Sequence, residues 1–420
     1  MDRFLVAGGT RLEGSVSVAS SKNAVLPVLA ACLLTDEECV VRGVPRLEDV
    51  TTTLRLLESM NVAVTRKGGT VRVKASARLE TEAPYDIVRK MRASYYVLGP
   101  LLGRMGAAKV SLPGGCAIGT RPVDLTLRGI EALGASVRLD HGYVDATAPS
   151  LRGARVLLEG ARGPSVGATI NTMMAAALAH GETVIAGAAC EPEVVDVAGF
   201  LNRMGARVSG AGTPELIIEG VHRLGGTEYR PIPDRIETGT LAAAAAITKG
   251  RVLLRNCRPD HLEGFVDRLR QTGAEVETTK TTMTVSATGR ARPADVSTAP
   301  YPGFPTDLQA QFMALVCTAD GASTVTENIF PSRFMHAMEL DRMGARVEVT
   351  GNVAVVRGVE RLSGAQVMAS DLRASAALVL AALVAEGRTE ILRIYHLDRG
   401  YERLEQKLNA LGAEIERVAH

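Results

Sequence analysis

Six residues of this 420-residue chain recur at a nearly constant interval and carry groups able to hold a charge or a proton: Lys22, Arg92, Ser165, Glu237, Asp307 and Arg373. Their spacings are 70, 73, 72, 70 and 66 residues. Each opens a stretch that is apolar nearly all round, at residues 24–34, 94–102, 168–179, 241–247, 308–316 and 374–385. A helix without a polar face must be buried on every side. Ser165 and Asp371 are good helix caps, and Glu237 reads equally as a structural charge. Capping does not explain Lys22, Arg92 or Arg373, because a cation is unfavourable at the positive end of a helix dipole. Cations beside helix N–H groups describe an anion site instead. If these helix starts face one cleft, its ligand is polyanionic.

The segment from Pro113 to Asp124 (PGGCAIGTRPVD) brackets Cys116 and Arg121 with glycines and prolines. A glycine-rich loop suits a lid, and a thiol beside cations can have a lowered pKa. The bland reading, an incidental cysteine in a turn, stands beside it.

The elements that must position these residues also repeat. An apolar residue, Gly-Ala and a strand follow one another at 133–135, 204–206, 343–345 and 411–413; Thr272 replaces the apolar residue at 272–274, and Met60-Asn61-Val62 is a degenerate first copy. Gly or Asn in the left-handed conformation ends a helix and an alternating strand follows. The period is about 70, longer than a solenoid repeat, so each copy is a small α/β module. Amphipathic helices at 49–60, 195–204, 262–272 and 401–411 lie outside the buried ones. Six units are too many for one core, and three plus three around two cores is the economical arrangement. No G-x-G-x-x-G or Walker A sequence supports a doubly wound nucleotide fold.

Composition narrows the function. Hydrophobic residues make up 46%, enough for a sizeable core, and 48 basic against 46 acidic residues leave a formal net charge of +2. That balance argues against nucleic-acid binding, and the absence of Trp with only 4% aromatics argues against base-stacking platforms. None of the six cysteines forms a C-x-x-C or a Cys/His cluster with zinc spacing, so no metal is expected. No signal peptide or membrane-spanning stretch is expected, which points to a cytoplasmic protein.

The phrases Ser21-Lys-Asn-Ala24, Met91-Arg-Ala-Ser94, Pro113–Leu125 (PGGCAIGTRPVDL), Pro233–Thr240 (PDRIETGT), Phe304-Pro-Thr-Asp307, Ser370–Ser375 (SDLRAS) and Asp398–Glu402 (DRGYE) together resemble the UDP-N-acetylglucosamine 1-carboxyvinyltransferase family. The resemblance runs in order from about residue 2 to residue 418. It implies a two-domain inside-out α/β barrel of six pseudo-repeated units. One domain spans 22–231, the other is discontinuous (1–21 plus 232–420), and the active site lies in the cleft between them. It implies transfer of the enolpyruvyl group of phosphoenolpyruvate to the 3-hydroxyl of UDP-N-acetylglucosamine, by addition and elimination, as the first committed step of peptidoglycan synthesis. No cofactor and no obligate protein partner are implied.

Residue by residue, Cys116 matches the lid cysteine, the acid that protonates the methylene carbon and the target of fosfomycin. Asp307 matches the base that takes the sugar hydroxyl proton and also touches the nucleotide sugar. Lys22, Arg121 and Arg399 match the cations that hold phosphoenolpyruvate, with Arg92 and Arg373 supporting; arginine's planar fork suits phosphate and carboxylate alike. Asn23, Arg92, Arg121, Pro122, Val123, Asp124, Leu125, Ser165, Val166, Gly167 and Ile329 match the UDP-sugar site. Two positions depart from the family pattern: Thr126 stands where histidine is usual, and Ser21 where a residue like alanine is common. A paralogue using another nucleotide acceptor and an inactive UDP-sugar-binding module are the alternatives. The second is disfavoured because Cys116 and Asp307 are both present, and the Pro-Gly-Gly-Cys segment disfavours 5-enolpyruvylshikimate-3-phosphate synthase.

Overall fold

A computed structural model describes residues 2–89, 91–112 and 123–419. Cys116, Arg121 and Pro122 lie outside the described residues. The chain is mixed α/β and divides into two compact units, one of residues 2–19 and 233–419, the other holding most of 20–232.

Among the described residues there are six four-stranded sheets, all with the same plan. A strand at one edge pairs in parallel, and the other three strands pair antiparallel. Alternation builds these strands: in Thr70–Ala75 the side chains of Val71, Val73 and Ala75 are buried while Arg72 and Lys74 are exposed. Each sheet is open, and no closed barrel of strands forms among the described residues.

Two sheets of the first unit draw on the start of the chain. Arg3–Ala7 lies between Arg388–Leu392 and Glu414–Val418, and Glu13–Ser17 pairs in parallel with Arg251–Arg255.

The apolar stretches form buried helices, numbered here α1 (Lys22–Ala31), α2 (Leu98–Met105), α3 (Val166–Ala176), α4 (Arg235–Ile247), α5 (Gln309–Val316) and α6 (Leu372–Ala382). The first three belong to one hydrophobic core and the last three to another. The Gly-Ala phrases close helices as expected: Asn61, Gly134, Gly205, Gly273, Gly344 and Gly412 all have φ between 62° and 104°. The following alanine N–H reaches back to the helix, as in Ala135 N to Ile130 O at 3.2 Å and Ala206 N to Leu201 O at 3.0 Å.

Several boundaries differ from the sequence expectation: α4 starts at Arg235 rather than at 241, and α3 and α6 each start two residues and end three residues earlier than expected. Residues 92–97 form a 3-10 turn, and the α-helix starts only at Leu98. Pro100 then falls in the first turn of α2, which needs no N–H from it. The last amphipathic helix spans Leu404–Asn409 rather than 401–411. Arg403 sits in the left-handed region at φ 49°, which separates Tyr401 from the helix and leaves it 2% exposed.

Candidate active site

In the unit holding 233–419, the starts of α4, α5 and α6 carry one continuous polar network. Asp307 lies in a 3-10 turn, Thr306–Leu308, just ahead of α5. Its Oδ2 accepts from the Arg373 guanidinium at 2.7 Å, and its Oδ1 accepts from Arg333 at 2.8 Å. The arginine side chains are 5% and 6% exposed, while that of Asp307 keeps 26% exposure. A carboxylate gripped on both oxygens but still open on one side is oriented and able to meet a ligand.

Arg373 is positioned from behind. Asp371 caps α6, accepting from the N–H groups of Arg373 and Ala374 at 2.9 and 3.1 Å. The Tyr401 hydroxyl accepts from Arg373 at 3.3 Å and lies 2.8 Å from Thr240 Oγ1 and 3.1 Å from Gln311 Nε2. Burial alone would pull the Arg373 guanidinium down, but the charge of Asp307, followed by Tyr401 and Asp234, outweighs it and holds the group above its ordinary value. Burial lifts the Tyr401 phenol above its usual range, opposed by Arg373 and by the Thr240 hydrogen bond. His336, also buried, is pulled down to about 4 by burial, against the pull of Asp371.

Glu237, in the first turn of α4, belongs to the frame. Its carboxylate accepts from Ala19 N at 2.7 Å and from Lys407, and Asp234 rather than Glu237 caps the helix. Burial raises the Glu237 pKa, and the Lys407 charge works against that. Ile329 follows the strand Ala322–Thr326, and Arg399 follows the short helix Tyr395–Asp398.

In the other unit, Lys22 opens α1 and its ammonium lies 3.3 Å from Asp49 Oδ2. Asn23 is the next residue, and Arg92 opens the 3-10 turn Arg92–Val97. Val123 precedes and Asp124 and Leu125 begin the helix Asp124–Ala132, in which Thr126 is buried. Ser165 caps α3, accepting from Ala168 N at 3.3 Å, with Val166 and Gly167 in the first turn.

The structure thus brings Asp307 and Arg373 together, two expected site residues 66 positions apart. It adds Arg333, Tyr401 and Gln311, together with Thr306, which accepts from Arg333 at 3.0 Å and donates to Glu327 at 2.9 Å; the sequence reading selected none of these five. Arg333 sits in an irregular stretch with no periodicity to mark it. Glu327 had one signal, an acidic residue directly after an alternating strand. Among the described residues, no group of His, Cys, Asp and Glu could hold a metal ion, and no helix is long and apolar enough to cross a membrane.

The family model described as EPSP synthase (3-phosphoshikimate 1-carboxyvinyltransferase) matches residues 6–408. A protein of Desulfosudis oleivorans named UDP-N-acetylglucosamine 1-carboxyvinyltransferase is 54% identical, each chain covering 100% of the other. The chain belongs to the UDP-N-acetylglucosamine 1-carboxyvinyltransferase family. A relative of the same name in Methylacidiphilum infernorum is 53% identical, with coverage of 100% and 99%. Among solved structures, the enolpyruvyl transferase NikO from Streptomyces tendae matches this carboxyvinyltransferase-family chain with a TM-score of 0.90 at 26% identity, covering 100% and 99%. EPSP synthase from Acinetobacter baumannii shares the fold, with a TM-score of 0.72 at 18% identity and full coverage of both chains.

Proposed function

We propose that the protein transfers the enolpyruvyl group of phosphoenolpyruvate to the 3-hydroxyl of UDP-N-acetylglucosamine with release of phosphate. The observation that carries this reading is the Asp307 carboxylate held by two buried arginines, in a chain more than half identical over its whole length to proteins of that name. A base must be oriented within reach of the proton it takes, and the two guanidinium contacts orient this one.

In the addition step the sugar O3 bonds to C2 of phosphoenolpyruvate, its proton passes to Asp307, and the methylene carbon C3 gains a proton from Cys116. In the elimination step the Cys116 thiolate takes a proton back from C3, the double bond re-forms, the C2–O bond to phosphate breaks, and the proton held by Asp307 leaves with the phosphate. Lys22, Arg121 and Arg399 hold the phosphate and carboxylate of the donor, with Arg92 and Arg373 in support. Fixed cations stabilise the charge that develops as phosphate leaves. Asn23, Arg92, Arg121–Leu125, Ser165–Gly167, Asp307 and Ile329 hold the nucleotide sugar.

The sixfold sheet plan and the six buried helices support an inside-out α/β barrel of six units, in domains of 22–231 and of 1–21 plus 232–420. The reaction is the first committed step of peptidoglycan synthesis, in the cytoplasm. Thr126, in place of the usual histidine, favours one second reading, a paralogue using another nucleotide acceptor.

Phosphate release from phosphoenolpyruvate, compared across UDP-N-acetylglucosamine, UMP and shikimate 3-phosphate, tests both readings. Release with the UDP-sugar alone, and a product heavier by one enolpyruvyl unit, is expected. Release with another acceptor only would overturn the first reading in favour of the second.

A further inference from the structure

Glu327 is fully buried, at 0% exposure, yet lies among hydrogen-bond donors from three directions. Its Oε1 accepts from the Thr298 hydroxyl at 2.8 Å and from the backbone N–H groups of Ile329 and Phe330, each at 2.9 Å. Its Oε2 accepts from the Thr306 hydroxyl at 2.9 Å. A buried carboxylate is tolerated only when donors replace its water, and here four do so.

The direction of these bonds has consequences. A threonine hydroxyl has one proton, so a hydroxyl that gives it to Glu327 can only accept from other groups. Thr306 Oγ1 accepts from Arg333 NH1 at 3.0 Å, and the same nitrogen donates to Asp307 Oδ1 at 2.8 Å. Both protons of that nitrogen are then used, and the guanidinium is pinned against Asp307. Thr298 Oγ1 is arranged alike: it donates to Glu327 and accepts from Asn328 N at 2.8 Å, next to Ile329.

We propose that Glu327 is a positioning residue that sets two parts of the site at once, the Asp307 carboxylate through Thr306 and Arg333, and the Ile329 backbone directly and through Thr298. This rests on the proposed reaction, in which Asp307 takes the proton and Ile329 contacts the nucleotide sugar. The two arms are chemically separable, because each passes through its own threonine.

The test compares wild type, Thr306→Val, Thr298→Val and Glu327→Gln in steady-state phosphate release from phosphoenolpyruvate and UDP-N-acetylglucosamine, with thermal unfolding of each. Thr306→Val should lower kcat about tenfold and leave KM for the UDP-sugar within about twofold. Thr298→Val should raise that KM about fivefold or more and leave kcat within about twofold. Glu327→Gln should show both changes. Should Glu327→Gln fold poorly, the two threonine variants, which keep their shape, decide the matter. Threonine variants that change neither parameter, or that change both together in step with lost stability, would overturn the positioning role while leaving the reaction in place. A folded wild-type protein that releases no phosphate would overturn the reaction and this inference with it.

Discussion

Arg373 and Asp307 meet at 2.7 Å across 66 residues of chain, and the meeting joins the start of one buried helix to the turn ahead of another. The expectation for Arg373 is an anion site at a helix N-terminus. In the fold, two N–H groups of that terminus are taken by Asp371, and the guanidinium turns to Asp307. The cation therefore orients the Asp307 carboxylate, the group proposed as the base.

Asp307→Asn keeps the size of the side chain and removes the proton acceptor. Turnover should fall by about 10³-fold, with UDP-N-acetylglucosamine binding nearly unchanged by calorimetry. Near-normal turnover would remove Asp307 from the role of base.

Fosfomycin, an epoxide that mimics phosphoenolpyruvate, should add once to the protein, at Cys116. Among the other cysteines, Cys32, Cys39, Cys257 and Cys317 are buried and Cys190 is half-buried. Burial pushes the thiols of Cys257 and Cys317 up to about 11 and about 12, so almost no thiolate is available there. Intact-protein mass spectrometry should show one adduct in the wild type and none in Cys116→Ser. An adduct persisting in that variant would contradict the assignment.

Asp196 offers a pH test within the other unit. It accepts from the Tyr229 hydroxyl at 2.8 Å, and burial pushes its pKa up to about 7 despite that bond. The folded state therefore holds the proton more tightly than the unfolded chain. Stability from this group is largest below the unfolded value near 4 and is lost as pH rises towards 7. Asp196→Asn, neutral throughout, should gain stability over the wild type across that window, by at most about 3–4 kcal/mol. Urea unfolding of both proteins from pH 5 to pH 8 checks it, and a constant difference would refute it.

Lys407 is the partner of the buried Glu237, and its side chain is only 18% exposed. Lys407→Met should cost about 3 kcal/mol by leaving Glu237 without its countercharge. Lys407→Met with Glu237→Gln should recover much of the loss. Chemical denaturation of the single and double variants measures this, and equal losses in both would show that the charge pair contributes little.

The repeating modules are legible in the residues alone. The Gly-Ala phrase marks helix ends because only a residue tolerant of positive φ can occupy Gly134 or Gly412, and a helix apolar nearly all round after its first turn, such as α6, announces burial because no face of it suits water. Long collinear motifs also made the family legible. How the side chains are used emerges only from the packing. No periodicity links Arg333, Glu327 and Tyr401 to Asp307, and the contacts among them depend on how the starts of α4, α5 and α6 pack in one core. Hydrogen bonds act within about 3 Å, and a sequence interval does not specify a distance on that scale.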